Sequence, residues 1–169
     1  KRLLRRSAPR NDINFFAIDI SPQTLTVARK NAHIHKTKIK ILQGNLLEPL
    51  IKNSKIPKFQ NYKIIITANL PYLTPQQLRQ EPSIQHEPKL ALIAGRDGLK
   101  YYRELLNQIS SFHVPHSTFL FLEIDPSQTY SIKKLIKKTL PQAKIEIKQD
   151  LAGLNRIVII KFNQIKSKS

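Results

Sequence analysis

The stretch TANLPYLTP, residues 67–75, sets a carboxamide, a proline and an aromatic ring within four positions at the end of an apolar run, Ile64, Ile65 and Ile66. Those residue types suit transfer of an electrophilic methyl group to an amide or aryl amine nitrogen. Such a nitrogen is a poor nucleophile because its lone pair is delocalised. Two acceptors that grip its two N–H bonds favour a more localised lone pair as the transition state forms. The side-chain oxygen of Asn69 can be one acceptor. The backbone carbonyl of Leu70 can be the other, held by the rigid ring of Pro71. Tyr72 then offers a flat face to a planar amide or base. No general base is needed at the start, since the proton can leave after the methyl arrives. The same residues would also make an ordinary proline turn closing a strand, and by themselves they leave that reading open.

Alternating elements must position this stretch. Residues 13–20 (INFFAIDI) read as a strand, and Ser21-Pro22 supplies an N-cap and a first helical position. A helix is expected to about His33, with Leu25, Ala28 and Ala32 at helical spacing. IKILQG (39–44) is a second strand ending in glycine. Beyond a lysine-rich loop, YKIIITA (62–68) is a third strand, apolar enough to be buried on both faces. Thr74-Pro75 repeats the cap signal and opens a short helix. Residues 80–99 read as a long irregular connection, which compact domains rarely carry without a purpose. Residues 99–112 form a helix with Leu99, Tyr102, Leu105, Leu106 and Ile109 along one face. STFLFLEI (117–124) is a strand, and Asp125-Pro126 caps a helix reaching about Leu140. Two strands, 143–149 and 156–162, follow around DLAGLN, and the tail from 163 reads as frayed. The alternation predicts one α/β domain with a mostly parallel, doubly wound sheet and an antiparallel edge.

In such sheets ligands bind beyond the carboxyl ends of the strands, where Asp19, Asn45 and Asn69 stand. An acid in the place of Asp19 can take both hydroxyls of a ribose, or it can simply help cap the following helix. Asp97-Gly98 reads as a turn or cap, and Glu123 and Asp125 as acids ending a strand before a helix cap. The five histidines do not make a metal site. His33 and His35 face different sides of a helix end, and His113 and His116 flank a proline.

A chain of 169 residues suffices for one domain with a core, and no apolar run approaches the roughly 20 residues that cross a bilayer. The basic start KRLLRRSAPR lacks the apolar segment and cleavage site of a secretory signal. With no cysteine there is neither a disulfide framework nor a thiolate metal site. A cytoplasmic protein without a membrane partner is expected. The formal charge of +18 suits an anionic partner such as nucleic acid or a ribosome-associated surface. Yet the lysines are scattered through every segment, as AT-rich coding sequence would also place them. The chain begins at Lys1 and contains no methionine, so its start is either processed or truncated.

FFAIDISPQTLTVARKNA, QGNLLEPL, ANLPYL, HEPKLALIAGRDGLKYYRELL, LEIDPSQ and DLAGLNRIVI occur in that order. Together they resemble the release-factor glutamine methyltransferases, the HemK-like family, over nearly the whole chain. Residues 87–103 are the most specific part, whereas the 69–72 motif is shared with many amino-methyltransferases. The resemblance implies a Rossmann-like class I methyltransferase that uses S-adenosylmethionine. Its substrate would be the glutamine of a Gly-Gly-Gln loop in a peptide-chain release factor. By position, Asp19 would hold the cofactor ribose, Asn45 and Leu46 would border the adenine, and Asn69 would also touch the cofactor. Asn69, Leu70, Pro71 and Tyr72 would bind the glutamine amide beside the methyl donor, and the loop from Glu87 to Asp97 would shape the substrate side.

Three departures from the family pattern carry expectations of their own. Leu70 replaces the first proline of Asn-Pro-Pro-Tyr, but leucine also offers the backbone carbonyl. Asn45 stands where an acid is common, which weakens the grip on an adenine amine. The family's first strand, its glycine-rich cofactor loop and its amino-terminal helical domain have no counterpart in the 169 residues. A partial catalytic domain, truncated at its amino end, is therefore expected. The alternatives are an adenine amino-methyltransferase acting on rRNA or DNA, whose ribosomal members carry Asn-Leu-Pro-Tyr, and a truncated relic without catalysis.

Overall fold

The hydroxyl oxygen of Ser21 accepts the N–H of Thr24 at 3.2 Å and so caps α1 (Pro22–Ile34), with Pro22 in the position that needs no N–H. Leu25 is buried on this helix, and Ala28 and Ala32 lie half-buried at helical spacing from it. The computed structural model describes residues 13–52, 63–84, 86–112, 115 and 118–162. The basic start at 1–10, much of the lysine-rich loop, His113, His116 and the tail from 163 lie outside the described residues. The chain divides into two compact units, Lys1–Lys52 and Asn53–Ser169.

In the first unit α1 connects β1 (Phe15–Asp19) to β2 (Ile39–Gln43), and the two strands run parallel from Phe15 beside Ile39 to Asp19 beside Gln43. After β2 the chain turns into a short helix, α2 (Glu48–Lys52), with Lys52 and Glu48 paired at 3.1 Å. The sequence carries no helical signal for α2, because five residues show no helical period.

The second unit holds β3 (Ile65–Ala68), β4 (Phe119–Glu123), β5 (Lys144–Gln149) and β6 (Asn155–Lys161) in the order β3-β4-β6-β5. β3 and β4 are parallel, whereas β6 runs antiparallel to both β4 and β5. The last strand thus lies inside the sheet, and the antiparallel edge expected from the closing pair is β5. Asp150 shapes the hairpin between them. Its carboxylate accepts the N–H groups of Ala152 at 2.9 Å and Leu154 at 3.0 Å and takes Arg156 at 3.0 Å. The Leu154 N–H and the Arg156 guanidinium hold that carboxyl below its ordinary range.

The core of this unit forms where three apolar patterns meet. β4 and β6 supply Leu120, Leu122, Val158 and Ile160, and α6 (Thr129–Thr139) supplies Ile132 and Ile136. α5 (Lys100–Ser111) adds Tyr102, Leu105, Leu106 and Ile109 from one face, preceded by the buried Leu99. Each such side chain contributes about 1.5–3 kcal/mol on leaving water.

β3 departs from its expected burial on both faces. Ile65 is 69% exposed, and the strand alternates between exposed and half-buried positions. Among the described residues β3 pairs only with β4, and only one row of its side chains, the half-buried one, is sheltered by packing on its face. Residues 80–99 are also more ordered than expected. They contain a 3-10 turn at Pro82–Ile84 and a short helix, α4 (Lys89–Leu92), after α3 (Pro75–Gln80).

Candidate methyl-transfer site

β3 ends at Ala68, and the chain passes through Asn69 and Leu70 toward the capping box of α3. Thr74 accepts the Gln77 N–H at 3.2 Å, and the Gln77 side chain accepts the Thr74 N–H at 2.9 Å. These reciprocal bonds fix where the motif leaves for the helix. Between those anchors Asn69 is exposed, the Leu70 side chain is buried at 9% exposure, and Pro71 and Tyr72 are half-buried.

The backbone carbonyls of this stretch divide sharply. Those of Tyr72 and Leu73 are engaged, the first by Gln128 Nε2 at 3.0 Å and the second by the Ala94 N–H at 2.9 Å. Neither the Asn69 carboxamide nor the Leu70 carbonyl accepts a hydrogen bond from the described residues. Two neighbouring acceptors therefore stay available on a stretch whose next residues are tied down.

The segment before α5 does the tying. Leu73 pairs with Ile93 in a parallel bridge, with the Leu73 N–H donated to Leu92 at 2.9 Å. Farther along, Asp97 accepts the Leu99 N–H at 3.1 Å and meets Arg103 at 2.7 Å. Burial works against ionisation of Asp97, but that N–H and the guanidinium win and hold its carboxyl below the ordinary range. Gly98, at φ +67°, packs so closely on the Tyr72 carbonyl and Gln128 Nε2 that an added Cβ would overlap both. The specific 87–103 segment and the 69–72 motif thus meet in one place.

Two phenols border the site. Tyr102 is fully buried and donates to the Glu123 carbonyl at 2.5 Å. Burial, with the neighbouring Tyr72 and Glu123, pushes its hydroxyl well above the usual tyrosine value. Burial and Glu123 raise Tyr72 as well, so both remain neutral hydrogen-bond donors. Asp125 caps the turn at Pro126–Gln128 through the Ser127 N–H at 2.9 Å, the capping role expected for it.

Asp19, Asn45 and Leu46 lie in the first unit. Asp19 ends β1, where one carboxylate oxygen accepts the Ser21 N–H at 2.7 Å and the other accepts nothing from the described residues. The N-cap of α1 is Ser21, which leaves Asp19 with an oxygen to spare for a hydroxyl donor. The Asp19 carbonyl accepts the Gly44 N–H at 3.0 Å, which brings the turn bearing Asn45 and Leu46 to the end of β1. A Cβ on Gly44 would overlap Pro49, and Leu46 adopts φ +52°, so this turn is tightly wound.

The long-range bonds of Gln128 and the close approach of Gly98 cannot be read from the sequence. Asp125-Pro126-Ser127-Gln128 does carry a signal, since acid-x-x-Gln is a capping box, and Gln128 indeed accepts the Asp125 N–H at 3.3 Å. Its two long-range donor bonds have no local signature. Among the described residues no group of three or more His, Cys, Asp or Glu could hold a metal ion.

No protein-family model matches the chain. It is 34% identical over 144 residues, 84% of its length, to the release factor glutamine methyltransferase of Bacillus subtilis, of which those residues cover 48%. The chain spans about half the length of the curated relatives it matches. Among solved structures, the ribosomal protein L11 methylase of Lactobacillus delbrueckii subsp. bulgaricus superposes with TM-score 0.57 at 18% identity, covering 89% of this chain and 58% of that one. The N-terminal domain of human METTL16 in complex with SAH superposes with TM-score 0.55 at 13% identity, covering 92% and 54%. The chain is similar in sequence to the release factor glutamine methyltransferases, and its fold is that of the class I methyltransferases.

Proposed function

We propose that this chain is part of a single methyltransferase catalytic domain that methylates the side-chain amide of a glutamine in the Gly-Gly-Gln loop of a peptide-chain release factor. The observation that carries the reading is the pair of unengaged acceptors, the Asn69 carboxamide oxygen and the Leu70 carbonyl. A primary amide presents two N–H donors, and two neighbouring acceptors can take both. Gripping both turns the nitrogen and favours a localised lone pair, an effect that grows as the transition state forms. The Tyr72 ring flanks the planar amide, and its neutral hydroxyl adds a donor without adding charge.

S-adenosylmethionine is the methyl donor in this reading, and when bound it supplies an electrophilic methyl group. Asp19 would hold its ribose through the carboxylate oxygen that Ser21 leaves open, with Asn45 and Leu46 beside the adenine. Methyl transfer leaves the amide nitrogen with one proton too many, which can pass to water, so no side-chain base is required. The reaction belongs in the cytoplasm, where its substrate acts. Among the described residues no helix is long and apolar enough to cross a membrane.

The test presents the full-length native protein with S-adenosylmethionine and, in turn, a release factor, the same factor with its loop glutamine changed to alanine, and ribosomal RNA. Methyl incorporation into the unaltered factor alone is expected. Incorporation into RNA with none into the factor would favour adenine as the substrate instead.

Leu70→Pro is expected to keep turnover within about tenfold of the parent. The carbonyl is retained, and the Leu70 N–H makes no hydrogen bond with the described residues that proline would remove. The smaller ring fills less of the buried leucine's space, so stability should fall by about 1–3 kcal/mol. Melting and turnover measured on the same preparation separate these effects, and an inactive but well-folded variant would contradict the carbonyl's assigned role.

A further inference from the structure

We infer that Gln128 is a positioning residue of this site, a clamp whose single carboxamide holds the amide-binding stretch in register with the segment before α5. The role in catalysis rests on the function proposed above. The clamp itself rests on geometry alone.

Gln128 is 6% exposed, one of the two buried polar residues among those described. Its Nε2 donates to the Tyr72 carbonyl at 3.0 Å and to the Gly98 carbonyl at 3.1 Å. Those partners lie 56 and 30 positions away along the chain. The side-chain oxygen accepts the Asp125 N–H at 3.3 Å. Both N–H groups of the carboxamide are therefore used on distant segments, and only its acceptor serves the local turn. Three chain segments meet at one side chain: the exit of β3, the turn before α5, and the turn between β4 and α6.

A capping glutamine needs only its oxygen, and glutamate does that work equally well. The two donor bonds require the amide. They fix the carbonyl two residues beyond Leu70 and thereby set the direction in which the Leu70 carbonyl and the Asn69 side chain point. Gly98 completes the clamp, because only a residue without Cβ admits the Tyr72 carbonyl and Nε2 so closely.

The informative substitutions are Gln128→Glu, which keeps shape and the capping oxygen while replacing two donors by acceptors, and Gln128→Met, which keeps volume without a donor or a charge. Ser127→Ala perturbs the cap alone and serves as the structural reference. The first readout is amide hydrogen exchange by NMR at Leu73 and Ala94, whose N–H groups join the two clamped segments. Both Gln128 variants should speed exchange there by about tenfold or more while Leu122 and Val158 in the sheet keep their protection. Unchanged exchange at Leu73 and Ala94 in a folded variant, or equal acceleration throughout the unit, would overturn the clamp.

The second readout is kinetic, on the full-length protein with a release factor. A displaced pair of acceptors should lower kcat by about 10- to 100-fold. The dissociation constant for S-adenosylmethionine should change by less than kcat does, since Asp19, Asn45 and Leu46 lie outside the clamped segments and only Asn69, of the residues assigned to the cofactor, lies within them. A fall in kcat no larger than that of Ser127→Ala would reduce Gln128 to a cap and overturn the positioning role. If the parent protein methylates no release factor, the proposed function fails, and exchange at Leu73 and Ala94 still decides the clamp.

Discussion

Gly98→Ala should lower the unfolding free energy by about 3–5 kcal/mol, combining left-handed backbone strain with the loss of two hydrogen bonds. Gly98 sits at φ +67°, where an L side chain is strained even in open space. Here the space is also filled, by the Tyr72 carbonyl and Gln128 Nε2. An alanine must push one of them away, which leaves a buried carboxamide donor or a backbone carbonyl unpaired. Gly153→Ala supplies a control within the same unit. Its φ is +77°, but nothing lies within 4 Å of the added Cβ, so it carries the strain without the overlap. Denaturant unfolding should show a loss of about 1–2 kcal/mol for Gly153→Ala and at least twice that for Gly98→Ala. Equal losses would mean that the Gly98 contact is relieved freely and constrains nothing.

Asn69→Ala should cost about 2.7–4 kcal/mol of transition-state stabilisation, a fall of roughly 10²- to 10³-fold in kcat, if removal of one oxyanion-hole donor is a fair guide. The side chain is exposed and bonds to none of the described residues, so its removal leaves no buried group unsatisfied. Stability should therefore change by no more than about 0.5 kcal/mol. Steady-state kinetics with a release factor, together with a melting curve, check both halves of the expectation. A variant that loses affinity for the factor but keeps kcat would make Asn69 a uniform binding contact, with no preference for the transition state.

The residues that a sequence could reveal here are those governed by local rules. Ser21-Pro22, Thr74-Pro75 and Asp125-Pro126 each marked a cap because side-chain oxygens and proline act within three residues of where they stand. The buried face of α5 was legible for the same kind of reason, since Tyr102, Leu105, Leu106 and Ile109 follow the helical period. What stayed hidden depends on partners far along the chain. Ile64, Ile65 and Ile66 look like a strand buried on both faces, but a face is buried only where another layer packs on it, and along β3 exposed positions alternate with half-buried ones. Gln128 looks like a cap because its oxygen is one. Its amide bonds to Tyr72 and Gly98 have no spacing from which they could be read.

The site shows the same division. The chemistry of Asn69 and Leu70 was legible because it resides in their own atoms. That these two acceptors remain open while the Tyr72 and Leu73 carbonyls are taken follows only from the folded arrangement of residues 92–98 and 128.

If Asn69 and Leu70 hold a glutamine amide for methylation, the transferred methyl group must be found on that amide. The full-length protein is supplied with isotopically labelled S-adenosylmethionine and a release factor together with ribosomal RNA, and the products are fragmented and sequenced by mass spectrometry. One labelled methyl is expected on the side-chain nitrogen of the glutamine in the Gly-Gly-Gln loop, accumulating roughly 10²- to 10³-fold more slowly when Asn69 is alanine. Label on an adenine amine of the RNA, or on the factor at any atom other than that nitrogen, would contradict it.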